Sequence, residues 1–164
     1  MIDNNTQRGT PMANIFVKGI VWLMFERPGK QKDYDGHLQA LDTSANTINT
    51  RLASAEDNAS NRDNLCHIIG IERWAQRRMQ IALGEAPIDD EYDGYRPSQD
   101  ATWDDLTRDF HTTREATCAL VKQLQAEQVA PETRVPHNMF GDVSLLGWLQ
   151  YINGHADRHA ASLA

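Results

Sequence analysis

Apolar and polar positions divide the chain into one short ambiguous stretch and four longer ones with a helical period. In the first, "ANIFVKGIVWLMFERPGK", Ile15, Phe16, Gly19, Ile20, Leu23 and Met24 fit a helical stripe. Its β-branched and aromatic content also allows a strand, and Pro28-Gly29 ends it in either case. The dozen residues before it are polar and expected to be loose. From Tyr34 onwards, Leu38, Leu41, Ala45, Ile48, Leu52 and Ala55 recur at steps of three and four, which is one apolar seam on a first long helix. The break "EDNASN" follows. Ser60 and Asp63 then form a capping-box pattern opening a second helix that runs to about Gly84.

A polar connection, "EAPIDDEYDGYRPSQD", leads to a second capping box at Thr102 and Asp105. The third helix it opens carries Leu106, Phe110, Thr113, Thr117, Leu120 and Leu124. Pro131 and Pro136 bracket a loop, and Asp142 is placed to cap a fourth helix through Leu145, Leu149, Ile152, Ala156 and Leu163. No strand pattern competes. The expectation is an all-α protein, an antiparallel four-helix bundle with one long crossover over residues 33–164. Residues 1–32 form an N-terminal appendage, partly disordered and then packed.

Composition narrows the function classes. At 164 residues the chain can bury a sizeable core as one domain. Its formal charge of −7 repels phosphate backbones and argues against a nucleic-acid partner. Cys66 and Cys118 are far apart and form no C-x-x-C motif, a usage that suits a reducing cytoplasm. The apolar run Ile15–Phe25 is interrupted by Lys18, has no cationic leader before it and is too short to span a bilayer. These features predict a soluble, cytoplasmic protein.

Candidate chemistry lies in the histidines. His155 and His159 stand four residues apart, so on a helix they share one face roughly 6 Å apart and both imidazoles can reach one cation. On the helical wheel they form a ridge with Trp148 and Ile152 beside the main stripe, where a ligand pair would be partly buried. The competing reading is a pair of boundary histidines bonded to nearby carbonyls or carboxylates. A third ligand must come from another helix, and His67 is the natural candidate. The wheel places His67 with Ile71 and Trp74 on a second apolar patch, which fits a groove and a polar interruption equally. Glu72 falls near the principal stripe of that helix, Leu65, Ile68, Ile69 and Met79, and needs an arginine or a site residue as partner. His37, His111 and His137 lack ligand spacing and read as surface or loop residues. Cys66 and the four tryptophans, Trp22, Trp74, Trp103 and Trp148, read as packing residues.

The segment "DNLCHIIGIERW" resembles the second-helix signature of the DinB-like (YfiT-like) superfamily: an apolar pair, a histidine, then Glu-Arg-Trp. "ATWDDLTRDFHTTREATCALVKQL" is similar to that family's third helix, and "HNMFGDVSLLGWLQYINGHADRH" to its phenylalanine-glycine turn and fourth helix. The resemblance covers residues 33–164. It implies an up-down-down-up bundle, often a homodimer, in which one histidine of helix 2 and two of helix 4 hold a divalent metal, usually nickel or zinc. By position these are His67, His155 and His159, with water or a small-molecule substrate completing the coordination.

Characterised members transfer bacterial low-molecular-weight thiols such as bacillithiol or mycothiol. The resemblance therefore implies a metal-dependent thiol S-transferase acting on small electrophiles, or a metal-dependent hydrolase. The alternative is a non-catalytic, dimeric stress-response or ligand-binding bundle with a vestigial metal site. No Ser-His-Asp order or phosphate-cradling glycine loop supplies independent catalytic chemistry. The N-terminal apolar segment has no counterpart in the family pattern.

Overall fold

The structure is a computed structural model that describes residues 17–98 and 100–164, so the loose start expected for the first dozen residues lies outside the described residues. The chain is mostly helical, with one small sheet. Residues 17–29 form helix α1, wound as a π-helix over Trp22–Glu26. The long helices are α2 (Tyr34–Leu52), α3 (Ala59–Met79), α4 (Trp103–Ala126) and α5 (Leu145–Ala160). Strands β1 (Arg134–His137) and β2 (Gly141–Ser144) make an antiparallel hairpin before α5, with Val135 opposite Val143. A 3₁₀ turn at Gln80–Leu83 extends α3 and ends at Gly84, whose left-handed φ of 98° stops the helix. Another 3₁₀ turn, Tyr92–Tyr95, interrupts the connection to α4.

Each long helix forms because its apolar seam finds partners. Leu106, Phe110, Thr113, Thr117, Leu120 and Leu124 are all buried on α4, as their spacing predicts. On α2 the buried line is Tyr34, His37, Leu41, Ser44, Ile48 and Leu52. The helices touch in the pairs α3–α4, α3–α5, α2–α5 and α2–α4, while α1 lies on α5. The core divides into two hydrophobic clusters. One gathers Trp74, Trp148, Leu149 and Phe25 beneath the hairpin, and the other gathers Ile48, Leu65, Ile69, Phe110 and Ala160 at the opposite end. No helix among the described residues is long and apolar enough to cross a membrane.

Several expectations are corrected. The capping box at Thr102 and Asp105 is present, but α3 begins earlier than Ser60, because the Asn58 side chain accepts from the Asn61 N–H at 2.9 Å. Helix α5 is capped by Ser144 instead of Asp142, whose residue belongs to β2. The hairpin escapes a periodicity reading because each strand spans only four residues and Pro136 sits within β1. Trp22 is 55% exposed and does not pack as expected.

The attachment of α1 rests on a buried carboxylate and a close approach. Glu26, 2% exposed, accepts from the Ser144 N–H at 2.9 Å and the Ser144 hydroxyl at 2.8 Å, and so sits at the positive end of the α5 dipole. His37 is also buried, against the surface position expected of it, and donates from Nε2 to the Gly29 carbonyl at 3.0 Å. A Cβ on Gly29 would meet the Leu146 carbonyl oxygen at 2.7 Å, so α1 can lie this close to α5 only through a glycine. Gly29→Ala is expected to destabilise the protein by about 1–3 kcal/mol through this backbone clash. A thermal melt unchanged from wild type would show that α1 is not held there.

Candidate metal centre

His67 lies on α3, and His155 and His159 lie on one face of α5. The α3–α5 contact brings the three together, with one ligand atom from each within 4.8 Å of the others. Ring centroids stand 4.9 Å apart for His67 and His155, 4.7 Å for His67 and His159, and 4.4 Å for His155 and His159. The Nε2 atoms of His67 and His155 approach to 3.1 Å. Nitrogen atoms on a tetrahedral ion at about 2.0–2.1 Å stand about 3.3–3.4 Å apart, so small ring rotations suffice to hold one ion. Trp148 is fully buried, its indole N–H donating to the Val135 carbonyl of β1 at 3.3 Å, and His155 is 8% exposed among His67, Tyr151 and His159, so both lie deeper than the boundary ridge suggested.

The surrounding groups set the orientation of each ring. Asn64 Oδ1 lies 3.4 Å from His159 Nδ1, which places that proton on Nδ1 and leaves Nε2 free to ligate. Gly70 lets the Tyr92–Tyr95 turn lie on α3, since a Cβ there would meet the Arg96 Cγ at 2.8 Å. That turn sets the Tyr92 ring edge-on to His67 at 5.1 Å and Arg96 Nη2 at 3.2 Å from His67 Nδ1. A guanidinium only donates, so this contact puts the His67 proton on Nε2, facing His155. His155 then carries its own proton on Nδ1, which is buried and finds no acceptor among the described residues.

With one ligand atom from each ring within 4.8 Å of the others, the three neutral imidazoles can converge their lone pairs on one cation. Arg96 is the opposing element, because ligation through His67 Nε2 requires its contact with Nδ1 to be released. Arg96→Gln is expected to tighten zinc binding severalfold, since a glutamine oxygen can accept from Nδ1 and the positive charge is gone. Competition against a chromophoric chelator reads the affinity, and a weakened affinity would contradict this account of Arg96.

All three rings are held neutral. Burial pushes His155 down to about 3, with the charges of His159, His67 and Arg158 adding to it. Burial also lowers His67, assisted by His159 and Arg96, and lowers His159, assisted by Arg158. Outside the trio, burial and then Arg78 push His137 down to about 4. The unfolded chain takes up these protons near pH 6.5 and the native state does not. Stability is therefore complete above about pH 6.5 and declines as pH falls towards 4 for His137 and 3 for His155. His137 alone accounts for about 3 kcal/mol over that window. Melting temperatures of metal-free protein are expected to fall between pH 7 and pH 5, less steeply in His137→Phe, and superimposable profiles would refute this.

His137 corrects another expectation, because it is buried in an aromatic stack. Its ring lies 4.3 Å from Phe140 and 4.9 Å from Trp148, near parallel in both cases. His111 is exposed, as expected. Glu72 meets an arginine, as its position demanded: Arg114 Nη2 lies 3.0 Å from its carboxylate. Beside the trio, Trp74, Tyr92, His137, Phe140 and Tyr151 wall an apolar cleft of ≈ 440 Å³, and Tyr151 packs 5.7 Å from His155. Arg96, Tyr92 and Asn64 are the site neighbours that sequence reasoning missed. The first two sit in a connection without periodicity, and only the i, i+3 relation of Asn64 to His67 could have flagged the third.

A family model for the DinB superfamily matches residues 29–163. No curated protein and no solved structure matches the chain.

Proposed function

The chain belongs to the DinB superfamily, and from that membership and its three converging histidines we propose that it is a metal-dependent enzyme. In this reading α2 to α5 form an up-down-down-up bundle spanning residues 33–164, residues 1–32 are its appendage, and the protein works as a homodimer. His67, His155 and His159 hold one divalent ion, nickel or zinc. The observation that carries the reading is the trio itself, with ligand atoms within 4.8 Å of one another and an apolar cleft alongside.

A divalent ion bound there would supply the Lewis acidity that makes a thiol, or a water molecule, nucleophilic near neutral pH. The protein's own part is to keep three imidazoles neutral by burial, so that their lone pairs stay available. Asn64 fixes the His159 ring, and Tyr92 and Tyr151 form walls shared by the trio and the cleft. Those walls give an electrophile an apolar surface beside the trio.

We assign the nucleophile first to a low-molecular-weight thiol and second to water. Zinc- and nickel-loaded protein, incubated with bacillithiol or mycothiol and monochlorobimane, is expected to form the bimane adduct faster than metal-free protein. Metal-dependent hydrolysis of p-nitrophenyl acetate without thiol enhancement would instead select the hydrolase. Equal rates with and without metal in both assays would leave the non-catalytic bundle as the correct reading.

A further inference from the structure

Helix α1 is apolar on two sides, and the bundle uses one of them. Val21 and Phe25 are buried, whereas Ile20 is 38% exposed, Trp22 55%, Leu23 59% and Met24 46%. Four of the six large apolar side chains exposed among the described residues therefore fall within residues 20–24. A helix apolar all round belongs in a core or against a partner, and the outward face of α1 has neither among the described residues.

The charge around this face has one sign. Residues 17–32 hold Lys18, Arg27, Lys30 and Lys32 against a single acidic residue, Glu26, in a chain of formal charge −7. Glu26 is 2% exposed and bonded to Ser144, so the outer surface of α1 carries only cations. Lys18, Arg27 and Lys30 are exposed, and the Arg27 guanidinium lies 5.8 Å from the centre of the Trp22 ring. In the groove beside Trp22, Lys18 and Arg134 share the lining with Asp142, the one exposed carboxylate there.

Size and charge decide between occupants. At about 200 Å² per whole side chain, these exposures leave on the order of 400 Å² of apolar surface, half of the ~800 Å² that each side of a stable protein interface buries. A second copy seated face to face would also gather Lys18, Arg27 and Lys30 of both copies around one interface, with no exposed carboxylate on α1 to pair them. A lipid surface needs no matching shape. Its acyl boundary accepts apolar side chains, its anionic headgroups attract the cations, and the amphipathic ring of a tryptophan settles between the two.

We propose that α1 is a peripheral anchor that lies flat on an anionic bilayer. Ile20, Trp22, Leu23 and Met24 enter the acyl boundary, and Lys18, Arg27 and Lys30 sit at the headgroup phosphates. The helix lies on the membrane without crossing it, since no helix among the described residues is long and apolar enough to span one. This surface goes beyond the metal-site reading and does not depend on it.

Co-sedimentation of the full chain with vesicles is the test. Vesicles of phosphatidylglycerol and phosphatidylcholine in equal parts should carry the protein down, pure phosphatidylcholine should not, and high salt should release it. Arg27→Gln should weaken binding by about fivefold, and Leu23→Glu by more than about tenfold. Both positions are exposed, so the melts of these variants should match wild type. Brominated acyl chains should quench wild-type tryptophan fluorescence but not that of Trp22→Phe, because Trp74 and Trp148 are buried and Trp103 lies on α4.

Wild type that stays in the supernatant, equal binding to neutral and anionic vesicles, or quenching retained in Trp22→Phe would each overturn the proposal. A dimer that Leu23→Glu dissociates, without vesicle binding by wild type, would overturn it in favour of a second copy on this face. The wild-type measurements decide even where a variant fails to fold.

Discussion

Replacing His155 with alanine is expected to abolish stable metal binding while leaving the metal-free fold intact. His155 is the deepest of the three rings and the one whose Nε2 lies 3.1 Å from His67. Without it, His67 and His159 are two ligands from different helices, too few for a structural or catalytic centre. Groups that merely orient metal ligands are worth about 10–100-fold in affinity, so loss of a ligand itself should cost more than about a hundredfold. The fold should survive because the substitution also deletes an Nδ1–H that is buried without an acceptor. Calorimetry separates the two effects. Zinc at a hundred times its dissociation constant stabilises wild type by about 2.7 kcal/mol, which is about 5–10 °C in a chain of this size. The variant should melt at one temperature with and without zinc. A full zinc-induced shift in the variant would place the metal elsewhere.

The second large effect is expected at the Glu72–Arg114 pair, which ties α3 to α4. The groups are 1% and 4% exposed, and Nη2 stands 3.0 Å from Oε2 as an ion pair without an aligned hydrogen bond. Thr117 donates to Glu72 Oε1 at 2.6 Å, and Arg114 Nη1 donates to Asn153 Oδ1 at 3.1 Å. Because Asn153 is on α5 two residues before His155, the network also sets α5 against α3, the relation that closes the histidine trio. Glu72→Leu strands the Arg114 charge in the core and should destabilise by about 3–5 kcal/mol, lowering the melting temperature by about 10 °C or more. Glu72→Leu with Arg114→Met removes both charges and should recover most of the loss. If the double variant were as unstable as the single, the cost would come from packing instead of the stranded charge.

The helical seams were legible in the sequence because each long helix buries a face of ordinary period, although on α2 Leu38 and Ala45 are only half-buried and Ala55 lies beyond the helix end. The seam of α4 is complete from Leu106 to Leu124, and Thr102 with Asp105 marks its start. Local competition shifted the other starts: Asn58 outranks Ser60 as a cap, and Ser144 serves both α5 and Glu26. His37 and His137 were misplaced because spacing says nothing about a polar residue whose partner comes from a distant segment. For His37 that partner is the Gly29 carbonyl, and for His137 it is a stack of rings from α3, α5 and the hairpin.

The site divides in the same way. The i, i+4 relation of His155 and His159 is a local signal. His67 joins them through α3–α5 packing that no single helix encodes, and on the wheel it fitted a groove and a polar interruption equally. The family resemblance supplied the link, and the structure brings the three rings together. Arg96 and Tyr92 reach the site from a polar connection, where only the close approach at Gly70 reveals their position.

The most direct test of the central claim is the X-ray absorption spectrum of untagged protein loaded with one equivalent of zinc or nickel. The account predicts stoichiometric metal with a first shell of three imidazole nitrogens completed by oxygen or nitrogen donors, at about 2.0–2.1 Å in the zinc form. Protein that retains no stoichiometric metal, or a first shell containing sulfur from Cys66 or Cys118, would contradict it.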